Sequence, residues 1–138
     1  VKTSSGDDLA WMYRTTAGRN VVVAMDDGND RLIMRDTNAV DNFFMELGVG
    51  DDKARVRNAT VGDFYASAAD GQDKMELDNI NAVNDLHVKM GMGDDVLKIS
   101  NSAALNPIFD GGPGFDTLYD LPNMFDEVLA SVNFELVI

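Results

Sequence analysis

The chain has 138 residues, 45% of them hydrophobic, which is one domain (1–138) with enough apolar side chains for a core. A net charge of −13 and a pI near 4.1 argue against nucleic acid or an anionic membrane as partner, and the absence of cysteine excludes disulfides and thiolate metal sites. No apolar run approaches the roughly 18 residues of a membrane-spanning helix.

The elements repeat. Gly-x-Asp stands at Gly6-Asp8, Gly28-Asp30, Gly50-Asp52, Gly71-Asp73, Gly93-Asp95 and Gly114-Asp116, the glycines 22, 22, 21, 22 and 21 residues apart. Self-similarity at such a period marks a solenoid. After each Gly-x-Asp comes an alternating strand, strand A. Its inward positions form two columns, Ala10, Leu32, Ala54, Met75, Leu97, Leu118 and Met12, Met34, Val56, Leu77, Ile99. A polar turn follows with Asp36, Asn58, Asn79 and Asn101. Next comes an apolar-x-Asn/Asp-apolar signal, at Val40–Phe43, Val61–Phe64, Val83–Leu86 and Leu105–Ile108, where strand B starts.

The inward columns of strand B are Val21, Phe43, Phe64, Leu86, Ile108, then Val23, Met45, Ala66, Val88, then Met25, Leu47, Ala68, Met90. This alignment puts the missing residue of the third coil before Val61. Phe125-Asp126-Glu127-Val128 echoes the strand B signal and is read as the last coil's turn and strand B. Each strand A meets the next one full turn later, so the strands stack in parallel, and parallel crossovers are right-handed. The expected fold is all-β: a right-handed parallel β-helix (β-solenoid) of about six coils of 21–22 residues, roughly 29 Å long at about 4.8 Å per coil.

The stretch Gly111 to Leu118 reads GGPGFDTL, and Gly91-Met92-Gly93-Asp94-Asp95-Val96-Leu97 nearly repeats it. It resembles the G-G-x-G-x-D-x-U-x nonapeptide of hemolysin-type (RTX) calcium-binding repeats. Those repeats return every nine residues; here one glycine turn serves each coil of 21 or 22, which resembles the longer β-solenoid repeats of exported bacterial proteins. The resemblance implies calcium (Ca2+) between successive turns, held by Asp8, Asp30, Asp52, Asp73, Asp95 and Asp116. It also implies an extracellular or cell-surface location, with which a start at Val1 in place of methionine agrees.

Bottom-up, the same aspartates have two readings. Stacked about 4.8 Å apart beside glycine turns, they offer calcium the oxygens it prefers. Alternatively, each caps its own turn by accepting backbone N–H groups, with no metal. The Asn58, Asn79, Asn101 ladder reads as structural, coil bonded to coil.

Outward on strand A lie Arg31, Arg35, Lys53, Arg55, Arg57, Lys74 and Lys98, seven of eleven basic residues. This is a solvated face paired with Glu76 and Asp78, a groove for an acidic polysaccharide, or a contact for another copy's acidic edge. Outward on strand B, Val22, Phe44, Tyr65, His87 and Phe109 make an apolar ladder where a wet face should be polar, and Trp11 and Tyr13 extend the theme. Self-association, cover by the chain's own C-terminal stretch, and sugar stacking are its three readings. The coil ends, closing on Leu136-Val137-Ile138, are a second route to a homo-oligomer.

His87 is the sole histidine, no nucleophile elbow occurs, and every turn is short. The expectation is a non-catalytic exported structural or adhesive module, calcium-associated and self-associating. The alternative is an acidic-polysaccharide-binding or polysaccharide lyase-like domain.

Overall fold

The computed structural model describes residues 1–125 and 130–138. The first four coils each carry two strands: β1 (Leu9–Ala17) and β2 (Val21–Ala24), β3 (Arg31–Ala39) and β4 (Asn42–Val49), β5 (Lys53–Val61) and β6 (Asp63–Asp70), β7 (Lys74–Ala82) and β8 (Asp85–Met92). The fifth coil has β9 (Val96–Ser100), β10 (Ala103–Ala104) and β11 (Asn106–Asp110). The sixth has β12 (Thr117–Asp120), β13 (Met124–Phe125) and β14 (Ala130–Val132), and β15 (Leu136–Val137) follows. Every pairing is parallel. One sheet stacks β1-β3-β5-β7-β9-β12-β15, with β10 and β13 beside that path, and the other stacks β2 through β14 on the opposite wall. The result is a parallel β-solenoid of about six coils.

The inward columns read from alternation are the core. Leu32, Met34, Met75, Leu77, Leu97 and Ile99 from the first sheet face Phe43, Phe64, Leu86 and Val88 from the second, all buried. Phe43 and Phe64 stack one above the other, centroids 4.7 Å apart. Each such side chain removed from water is worth about 1.5–3 kcal/mol, and the period places one in every coil at every column.

Strand A runs further than the sequence suggests. Asp36, Asn58 and Asn79 are not the end of the strand but a bend inside it, and Asn101 is the same bend between β9 and β10, with φ between 52° and 59°. One left-handed residue changes the parity of the pleat. Met34 points in, Arg35 and Asp36 point out, and Thr37 points in again, followed by Ala39. The same step adds two buried columns, Thr37, Ala59, Ile80, Ser102 and Ala39, Val61, Ala82, Ala104.

Two expectations of register are corrected by this. Val40, Val83 and Leu105 are exposed turn residues, whereas Val61 is buried in the column of Ala39 and Ala82. The third coil's missing residue lies after Val61, where Gly62 alone spans what Val40 and Asp41 span below; Asp41 O accepts both Gly62 N–H and Asp63 N–H. The fifth coil loses a residue at the same turn, so Pro107 pairs with Leu86 and Phe109 with Val88. Phe109 is therefore buried and Ile108 is outward, the reverse of the alternation-based assignment. Residues 126–129, the core of the Phe125–Val128 echo, lie outside the described residues. Phe125 itself pairs with Ala104 at the end of strand A.

Candidate functional site

The Gly-x-Asp edge is built from the backbone outward. Gly50 has φ +141°, and a methyl group on it would meet the carbonyl oxygen of Gly28 at 2.1 Å. Only glycine turns there without collision. The turn interrupts the sheet ladder, and the next two N–H groups lose their carbonyl partners. The side chains of the x and Asp positions replace them. Asp8 N–H donates to Asp30 Oδ1, Asp30 to Asp52, Asp52 to Asp73, Asp73 to Asp95 and Asp95 to Asp116, at 2.7–2.8 Å. The Asp116 N–H closes the series on Glu135 Oε2 at 2.6 Å. A second ladder runs the other way outside: Asn29, Asp51, Gln72 and Phe115 N–H donate to the side chains of Asp7, Asn29, Asp51 and Asp94. Each inward aspartate thus caps the turn of the coil before it rather than its own.

Five of the six predicted aspartates, Asp30, Asp52, Asp73, Asp95 and Asp116, are only 0–2% exposed; Asp8, in the first coil, is half-buried. The Oδ2 of all six is buried and has no hydrogen-bond partner. Burial pushes the carboxyl of Asp52 up to about 6, that of Asp73 up to about 7 and that of Asp95 up to about 6. The donated N–H works against this and neighbouring aspartates add to it. Asp30 and Asp116 are raised for the same first reason.

A calcium ion takes six to eight oxygens. Here one oxygen of each carboxylate below the first coil holds an N–H. The aspartate carbonyls are engaged as well, Asp30 O by Lys53 N–H and Asp52 O by Lys74 N–H, both at 2.9 Å. The inner column keeps one unbonded Oδ2 per coil, and Asp116 Oδ2 is so close to Gly111 that a methyl group there would approach it to 2.8 Å. The column as folded is closed by backbone N–H groups without a metal ion. Among the described residues no group of three or more acidic or histidine side chains is gathered for a metal ion.

The asparagine ladder is partly built. Asn79 donates to Asn58 at 3.0 Å and Asn58 to Asp36 at 2.8 Å, but Asn101 donates to Asp78. That bond, first, holds the Asp78 carboxyl below its usual range.

On the strand A face, Arg55 meets Glu76 at 2.5 Å, Lys74 meets Glu76 at 3.7 Å and Arg57 meets Asp78 at 4.0 Å. On the strand B face, Phe44 stacks on Tyr65 at 5.4 Å and Tyr65 meets His87 edge-on at 5.3 Å. Tyr65 O–H donates to Asp85 at 3.0 Å; burial, then this bond, raises the phenol. A shallow depression of about 480 Å³ runs along Val22, Phe44, Tyr65 and His87. The described C-terminal residues do not cover it. They add to the ends of the sheets, Ala130–Val132 beside Ile108–Asp110 and Leu136–Val137 beside Thr117–Leu118.

A scan of protein-family models, a search of curated proteins and a search of solved structures each return no match.

Proposed function

We propose that this chain is a non-catalytic structural or adhesive β-solenoid module that works outside the bacterial cell and associates with copies of itself through its strand B face. The observation that carries the reading is the stacked aromatic ladder: Phe44 is 37% exposed on a sheet face whose neighbours are Val22, Tyr65 and His87. A contiguous apolar patch on an otherwise acidic surface marks an interface. The repeat pattern and the acidic, cysteine-free composition support export. Light scattering at rising concentration tests the association. The wild type should grow in mass, and Phe44→Lys with Ile108→Lys should return it to monomer with its melting temperature kept. A strict monomer at high concentration would remove the self-associating half of the reading.

Calcium association along the Gly-x-Asp edge is proposed on the sequence pattern. An ion there would draw on the unbonded Oδ2 atoms, the Oδ1 atoms being held by N–H groups. Melting in millimolar calcium against excess chelator decides, since an ion bound only by the folded form raises the melting temperature. Equal melting in both would end the calcium reading.

A further inference from the structure

The strand A face is not uniform. Its salt-bridged acids, Glu76 and Asp78, sit in the fourth coil, where they engage Arg55, Arg57 and Lys74, whereas Asp36 in the second coil and Asp120 in the sixth accept from Asn58 and Asn123. Arg31 and Arg35, two coils away, and Lys53, one coil away, have no salt-bridge partner among the described residues. These same cations border two exposed aromatic side chains. Trp11 pairs in register with Ile33 and Tyr13 with Arg35, while Leu9, Arg31 and Lys53 form the next row. Trp11 is 75% exposed and Tyr13 55%. A depression of about 530 Å³ lies against Trp11, Tyr13, Ile33 and Arg35, and a second of about 350 Å³ continues from Ile33 and Arg35 to Arg31 and Lys53 and ends at Glu76, whose carboxylate is held by Arg55 and Lys74. The two share Ile33 and Arg35, so they form one shallow, flat-floored track across the sheet.

The chemistry of that track is specific. An indole or phenol ring presents a flat apolar face that stacks on the C–H face of a pyranose. A guanidinium takes a carboxylate with two parallel N–H bonds. The strands deliver these groups at a repeat of about 4.8 Å, close to the length of one sugar unit. In a chain of net charge −13, three cations without a salt-bridge partner stand beside the exposed Trp11 ring and the Tyr13 ring, over which Arg14 also lies at 5.0 Å, so positive charge is concentrated locally on this face. Screening over about 8 Å at physiological salt lets the local field decide at contact. A second copy's Gly-x-Asp edge would supply carboxylates to the cations but nothing flat to Trp11 and Tyr13.

We propose that this track binds an anionic carbohydrate chain of uronate type, its carboxylates on Arg31, Arg35 and Lys53 and its ring faces on Trp11 and Tyr13. The proposal rests on the adhesive half of the reading above and is independent of self-association, which uses the opposite sheet.

Calorimetric titration with oligogalacturonate and oligomannuronate tests it, at about 0.15 M salt. An uncharged pyranose oligomer and dextran sulfate serve as comparisons. At least one uronate oligomer should bind and the neutral oligomer should not. Trp11→Ala and Arg35→Glu should each weaken binding by about tenfold or more. Lys53→Gln should weaken it less, Phe44→Lys should leave it unchanged, and all four variants should melt like the wild type. No binding of either uronate overturns the proposal. So does dextran sulfate binding equally well with no effect of Trp11→Ala, which would mean charge alone. Association of the protein with itself that Arg35→Glu abolishes, without uronate binding, would assign the face to a second copy. Loss of the light-scattering dimer in Phe44→Lys with uronate binding intact would separate the two interfaces.

Discussion

A single aspartate per coil settles how the turn is closed. Asp73 accepts the N–H of Asp52 through Oδ1 and leaves Oδ2 buried and unbonded. A carboxylate in that position is uncomfortable when charged, which is why burial lifts it from 3.8 to about 7. The folded chain therefore holds this proton more tightly than the unfolded chain does. The stabilisation is fully present below about 3.8 and is lost as pH rises through about 6 to 7, with Asp52 and Asp95 moving in the same direction. Melting temperature should accordingly fall between mildly acidic and neutral pH. Asp73→Asn keeps the acceptor for Asp52 and removes the charge, so it should melt above the wild type at neutral pH and show a shallower pH dependence. Asp73→Ala strands a buried N–H and should cost about 1–3 kcal/mol. Melting curves across pH check all three. A wild type indifferent to pH, or an Asn variant less stable at neutral pH, would overturn the account.

At the scale of the strand, the columns divide into those alternation could find and those it could not. Leu77 and Leu97 alternate cleanly within strand A and were legible as core. Ile80 was not. It lies just past Asn79, whose left-handed backbone shifts the parity by one, so strict alternation assigns that stretch to a turn. The small residues Ala39, Ala82 and Ala104 hid their column for a related reason: the bulkier Val40, Val83 and Leu105 beside them looked like the apolar signal while facing water. Coils of 21 and 22 residues also leave the position of a deletion open in sequence, which is how Ile108 and Phe109 exchanged places. The aspartate column was visible from its period. Its burial was not, because an inward carboxylate makes sense only once the glycine turn is known to orphan an N–H. The test is quantitative. Leu77→Ala and Ile80→Ala should each cost about 2–5 kcal/mol, and Lys74→Ala, exposed and loosely paired with Glu76, under about 0.5 kcal/mol. An Ile80→Ala as mild as Lys74→Ala in a denaturant titration would put the bend in the wrong place.

Among the described residues, each coil pairs in the sheets only with the coils directly before and after it. Stability in such a stack is a sum of coil and interface contributions. The inner aspartate ladder gives that sum a direction. The buried N–H of Asp30 waits for the carboxylate of Asp52, that of Asp52 for Asp73, and so on down the stack. The buried donor of each coil is answered by the chain that follows it, while the outer N–H groups are answered by the chain before. During synthesis the amino-terminal coils emerge first, so a nascent chain always carries one unfinished coil at its growing end. That coil's core columns are in place, and its last buried donor is unanswered until about 22 more residues have left the ribosome.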